Sequence, residues 1–331
     1  MNKRVQMKFL LKLVITLSLV AIIVWHLGGL AEVGGLMARI TPLYVLLILM
    51  VNTLDRSLMT FKWGWLLRGR GVHLPFFCGM RIYCASMIWG MFLPATVGAD
   101  AVRAISTSRM GLDANEVFAS IIIERIVGFL SALMLGLLSF VLLSLFIHLD
   151  VRFNFVWWLG SAMVAGTLLV VAASFSQSAF DLLHDRLLHR FRDTRLIQRL
   201  RQLHSTYRAY QHDKSNLALF FGLTFGEQLL TILLYWLIAH GLRIEVSLFY
   251  IAGAVPLTIL VARLPVSVNG WGVFDGVFIL LMSLAGVSAA EAIAIVLIGR
   301  ILQTVSWLPW WAAHVLGTTS RRSPGSLAGR G

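Results

Sequence analysis

The chain has 331 residues, of which 58% are hydrophobic and 13% charged, and its mean hydropathy is +0.82. Soluble domains carry about a quarter charged residues, so this composition excludes an ordinary soluble enzyme and requires a polytopic membrane protein. The net charge of +13 does not call for nucleic acid, because the basic residues collect in particular loops, as the positive-inside rule requires.

The N-terminus carries Lys3, Arg4, Lys8 and Lys12 ahead of an apolar run to Leu27. No A-x-A-like cleavage site follows, and we read 9–27 as a retained first spanning helix. Further spanning segments are expected at 42–61, 117–146, 154–176, 217–240 and 291–316, from apolar windows of about 20 residues. Two other apolar regions are broken. One runs from 76 to 97 through Pro94; the other runs from 247 to 286 and is interrupted at 265–272. Each is expected to be a re-entrant hairpin or a pair of half-helices. The fold class is therefore an all-α polytopic membrane protein with about six full spans and two broken segments.

Between the spans, 181–214 is long and polar. Leu183, Leu187, Phe191, Leu196, Leu200 and Leu203 recur at near-helical spacing, with six arginines from Arg186 to Arg201 between them. This pattern predicts a basic amphipathic helix on the anionic inner leaflet. His184, His189 and His204 share no metal-ligand spacing, and Cys78 and Cys84 match no zinc or redox motif, so neither metal nor cofactor is expected. Residues 1–317 then form one membrane domain, with repeat halves at 42–146 and 217–316, and 318–331 a disordered tail.

With the N-terminus cytoplasmic, the basic residues partition sharply. One face holds the N-terminal cluster, Lys62, Arg68, Arg70, Arg81, Arg103, Arg109, the eight Lys/Arg between 186 and 214, and the tail. The other holds only Arg39, Arg152, Arg243 and Arg263. Both termini are expected in the cytoplasm. Trp157, Trp158, Trp307, Trp310 and Trp311 are expected in the interfacial belt.

An internal repeat organises the broken segments. Gly111, Ala114, Glu116, Ala119, Ile123 and Arg125 match Gly286, Ala289, Glu291, Ala294, Ile298 and Arg300 at one constant offset. Upstream lie Leu93-Pro94 with Val97, and Leu264-Pro265 with Val268, displaced by a four-residue insertion. Glu116 and Glu291 suit a helix first turn, where the backbone dipole favours negative charge. Counting crossings makes the copies antiparallel, which is a transporter architecture. Asp100, Arg103, Glu124 and Arg125 from one copy, and Asn269, Asp275 and Arg300 from the other, are expected to line a polar cavity and bind substrate. Arg125 and Arg103 are the expected phosphate ligands, since the guanidinium fork matches phosphate oxygens. Pro94, Gly98, Pro265, Gly270 and Gly272 are the expected hinges.

At these residues the chain resembles the flippase-like membrane domain of the lysylphosphatidylglycerol synthase family, over about 40–316. The matching marks are Asp55-Arg56 with Lys62-Trp63; Phe92-Leu93-Pro94; Gly98-Ala99-Asp100; Val102-Arg103; Glu124-Arg125 with Gly128; Leu264-Pro265; and Gly286-Val287-Ser288 with Glu291-Ala292. The resemblance implies handling of an amphiphilic lipid (a phospholipid, aminoacyl-lipid, hopanoid or glycan-lipid) across a bacterial inner membrane. Its implied partners are membrane lipids, anionic ones foremost; homo-oligomer formation is left open. The family's aminoacyl-transfer activity belongs to a separate soluble domain, so no catalytic residue is carried over and an enzyme is not expected. A membrane-embedded lipid-modifying transferase and a non-transporting scaffold of envelope synthesis are the alternative classes. Two departures concern the second copy: Phe274 stands where the family has Arg, and Asp275 where it has Glu.

Overall fold

The computed structural model describes residues 30–92, 97–146, 213–263 and 272–320, with short pieces at 165–166, 169, 205–206 and 208–210. The expected first helix at 9–27, the hinge residues Pro94, Pro265 and Gly270, the site residue Asn269, and most of 154–176 and 181–204 lie outside the described residues.

The described elements are all helical. They are α1 (Leu30–Met37), α2 (Pro42–Arg68), α3 (Phe76–Phe92), α4 (Val97–Ser108), α5 (Ala114–Phe146), α6 (Lys214–Gly241), α7 (Leu248–Ala262), α8 (Val273–Ser283) and α9 (Ala289–Ser320). Four segments are long and apolar enough to cross a bilayer: Pro42–Arg68, Ala114–Leu143, Ser215–Gly241 and Ala289–Leu316. They correspond to four of the six expected spans. The two broken regions are each a pair of short helices, α3 with α4 and α7 with α8. The last helix runs to Ser320, three residues into the expected disordered tail.

Apart from α1, the helices fall into two sets of four with the same rhythm. α2 to α5 have 27, 17, 12 and 33 residues; α6 to α9 have 28, 15, 11 and 32. The packing follows the same rhythm. α2 lies against α6. α3 packs on α4 as α7 packs on α8, and α3 reaches across to α9 as α7 reaches across to α5. α2 touches α9 as α6 touches α5. α1 lies on α9.

The turns correspond too. α4 ends in a left-handed residue, Gly111 (φ +81°), and α8 in Gly286 (φ +80°). Gly111 N–H donates to Ser108 and Leu112 N–H to Thr107; Gly286 N–H donates to Ser283 and Val287 N–H to Met282. This is the Schellman closure, which satisfies otherwise orphaned helix carbonyls and needs a residue tolerant of positive φ. The same pair of bonds closes α2 at Gly71 (φ +74°) and α6 at Arg243 (φ +61°).

Small residues permit the cross-set contacts. A Cβ at Gly253 on α7 would lie 2.6 Å from Leu143 Cγ on α5, and one at Gly136 on α5 would lie 2.7 Å from a Leu260 methyl on α7. Helices in lipid associate through such close approaches rather than through burial of apolar surface from water. The largest apolar core joins α2 and α5 to α6–α9, with Ile48, Leu135, Ile238, Ile251, Phe278 and Ile295 at its centre.

Candidate functional site: charged clusters inside the helix bundle

Asp100 sits in the first turn of α4, where the helix dipole favours its carboxylate. Arg125, on α5, grips it with two bonds: Nε to Oδ2 at 3.0 Å and the terminal nitrogen to Oδ1 at 2.8 Å. Arg103, one turn along α4, donates to the same Asp100 at 3.3 Å and to Glu124 at 2.8 Å. The Tyr83 hydroxyl on α3 donates to the other Glu124 oxygen at 2.9 Å. The Arg103 guanidinium lies 4.9 Å from the Trp63 ring centre and 4.8 Å from that of Tyr83, a double cation–π seat. The Trp63 indole is itself fixed by a 3.1 Å bond to Ser120.

The structure thus brings Asp100, Arg103, Glu124 and Arg125 together and gives them different surroundings. The Arg103 side chain is 1% exposed and enclosed by two carboxylates and two rings; that of Arg125 is 49% exposed. Beside Arg125, one turn along α5, the Gly128 carbonyl accepts a 2.9 Å bond from Arg263 at the end of α7. Two guanidinium groups therefore share that open face.

The second set holds the counterpart of the Asp–Arg clamp. Asp275 is in the first turn of α8 and Arg300 is on α9, with 2.8 Å between guanidinium and carboxylate. The other Asp275 oxygen accepts the Gly272 N–H at 2.8 Å and caps α8, and Gly272 takes φ +79° to make that turn. Asp100 to Asp275 and Arg125 to Arg300 have the offset already seen between Gly111 and Gly286. The Arg103–Glu124 pair has no charged counterpart, since Phe278 and Gly299 occupy those places.

A further cluster lies outside the expected site residues, although Asp55-Arg56 and Lys62 stood among the marks of the resemblance. Lys62 on α2 forms an ion pair with Glu227 on α6, bonds Thr224 at 3.2 Å and lies over the Phe220 ring. Asp55 pairs with its neighbour Arg56, which sits 5.8 Å over the Trp307 ring. Trp307 is buried at 5% exposure against Met80, Cys84 and Ile88, while Trp310 stacks on Phe77. Asp55 and Arg56 fall within the expected span 42–61, where charge is costly and marks function by default. Lys62, expected on the cytoplasmic face just beyond that span, instead lies buried inside α2, which runs on to Arg68.

Glu116 and Glu291 both stand in helix first turns. Glu116 takes two bonds from Arg70 at 3.1 and 3.2 Å, and Glu291 accepts from the Ser288 amide and hydroxyl at 2.9 Å. At this end of the bundle, bonding to Glu116 raises the Arg70 pKa, and burial pushes the Tyr210 phenol up. Among the described residues no three His, Cys, Asp or Glu side chains converge on a common point.

The description "Lysylphosphatidylglycerol synthase TM region" matches residues 9–309. The chain belongs to the lysylphosphatidylglycerol synthase transmembrane-region family. It is similar to a UPF0104 membrane protein of Methanothermobacter thermautotrophicus, 22% identical over 315 residues that cover 88% of each chain. As a member of this family with several apolar spans, it is a multi-pass membrane protein, and the family is consistent with a function related to membrane lipids.

Proposed function

We propose that the protein carries the headgroup of a membrane lipid, an anionic phospholipid foremost, between leaflets, and does so without covalent chemistry. The observation that carries this reading is the duplicated Asp–Arg clamp, Asp100–Arg125 and Asp275–Arg300, built at one register in two helix sets of matching lengths and partners. Two such sets inserted in opposite orientation form an inverted repeat. Broken helices then present their N-terminal turns to a polar interior near the bilayer centre, as alternating access requires. The loops between α4 and α5 and between α8 and α9 emerge on opposite faces. Both termini lie in the cytoplasm, and the membrane is the inner membrane of a bacterium.

In this reading Arg125 and Arg263 accept the lipid phosphate on their shared open face, while the acyl chains stay in the bilayer. Arg103, enclosed with Glu124 and Tyr83, holds Asp100 and α5 in place rather than touching lipid. Asp100 and Asp275 occupy the arginines of the clamps while the site is empty, which offsets the cost of keeping a bare guanidinium at that depth. The test is translocation of a fluorescent phosphatidylglycerol in proteoliposomes, read by dithionite quenching of the outer leaflet. Arg125→Ala is expected to lower the rate at least tenfold at equal reconstitution; an unchanged rate refutes the assignment.

A further inference from the structure

Between the two helix sets, α2, α6, α7, α8 and α9 line a partly open cavity of about 130 Å3. That is the space of roughly four waters at ~30 Å3 each. Its floor is polar. Asn52 and Asp55, one turn apart on α2, are 1% and 7% exposed and line the cavity. Asn52 Nδ2 and Asp55 Oδ1 are both buried without a hydrogen-bond partner among the described residues. A buried donor and a buried acceptor left unmet on the same helix face are costly, so their persistence asks for a ligand that meets both.

The charges narrow the ligand. Arg56 holds the other Asp55 oxygen, and Arg300 on the cavity wall is paired with Asp275. The cavity is therefore charge-balanced. A phosphate would set a second negative charge beside Asp55. An ammonium would suit Asp55, but it would leave Asn52 unmet and bring a charge with no counterpart. A neutral diol fits: one hydroxyl donates to Asp55 Oδ1 and the adjacent oxygen accepts from Asn52 Nδ2. Thr231 and Gln303 offer further polar partners around the wall. The Tyr235 and Phe274 rings, 5.7 Å apart and inclined at 38°, supply apolar surface for the C–H side of such a group.

We infer that this cavity is a binding site for the neutral vicinal diol of a polyol headgroup, either glycerol or a sugar. The inference relies on the lipid-transport reading only for the diol's arrival on a lipid; binding itself requires no translocation.

Native mass spectrometry of the full chain released from detergent micelles tests it with pairs of lipids of identical acyl chains. Phosphatidylglycerol is compared with phosphatidylpropanol, a phosphodiester of the same charge without the two hydroxyls, and glucosyl-diacylglycerol with diacylglycerol, so that each pair keeps its charge and loses the diol-bearing group. The wild-type protein is expected to retain at least one diol lipid about tenfold better than its partner, as two hydrogen bonds, one of them to a carboxylate, imply. Preference in the first pair alone names glycerol, and in the second alone a sugar. Asn52→Leu and Gln303→Leu are expected to reduce that preference towards parity, while Thr53→Ala, on the outward face of α2, leaves it intact. Equal retention within both pairs by wild-type protein overturns the inference, and so does a preference that survives Asn52→Leu. Because retention is read without a membrane, failure here is distinguishable from failure of transport in proteoliposomes.

Discussion

Arg103 and Glu124 illustrate what a charge inside this bundle requires. Each has lost its hydration, and the 2.8 Å bond between them is supplemented by Asp100, Tyr83 and two aromatic faces. Removing one partner leaves the other buried and unpaired, which costs about 3–5 kcal/mol, whereas replacing both with apolar groups of similar volume is often neutral. Glu124→Ala is therefore expected to lower the thermal midpoint of the purified protein sharply. The double variant Arg103→Met, Glu124→Leu is expected to restore most of it, as read by tryptophan fluorescence during a thermal ramp. Asp100, Arg103, Glu124 and Arg125 could be picked from sequence because they cluster in a proline- and glycine-broken passage of an oily chain. Their division of labour could not: only packing separates a guanidinium enclosed by Trp63 and Tyr83 from one half exposed beside Arg263. Asp55, Lys62 and Glu227 were missed as site residues because hydropathy averaged over a window hides single charges in a strongly apolar helix.

The four long helices stood out in the sequence, since each exceeds the bilayer requirement of about 20 residues. The short pairs were less legible. Proline and glycine announced a break but not its form, and the result is one short helix on each side of each break, α3 with α4 and α7 with α8. The repeat was visible from Gly111 to Arg125 and from Gly286 to Arg300, and the Asp100 and Asp275 clamps extend it upstream at the same offset. The α2–α6 correspondence carries almost no sequence identity, yet both helices end in the same closure at Gly71 and Arg243. The orientation of the two sets makes a direct prediction. Ala114 and Ala289 occupy equivalent, exposed positions at the starts of α5 and α9. With Cys78 and Cys84 replaced by Ser and Ala, cysteines at 114 and 289 are expected to react with an impermeant maleimide from opposite sides of sealed vesicles. Labelling of both from one side contradicts the inverted arrangement.

At the scale of the molecule, two helix sets exchange partners, α3 with α9 and α7 with α5, so neither set can move without sliding along the other's long helix. Lys62–Glu227 and the Arg263–Gly128 bond join the two sets, while each Asp–Arg clamp closes within its own set. A lipid headgroup that displaces Asp100 from Arg125 would open one set while the second clamp stays shut, which is how a two-sided carrier avoids a continuous leak. The second set lacks the charge of the first at Phe278 and Gly299, and the polar cavity lies between α2 and that second set.

The claim that both clamps serve one transport cycle is tested most directly by reconstituting wild-type protein, Asp100→Asn and Asp275→Asn at equal density and timing translocation of a fluorescent phosphatidylglycerol by dithionite quenching. Wild-type protein is predicted to move the lipid, and each single variant is predicted to lose at least tenfold while eluting as wild type on size exclusion. Translocation by wild-type protein no faster than in protein-free vesicles, or full rates in either variant, would contradict the account.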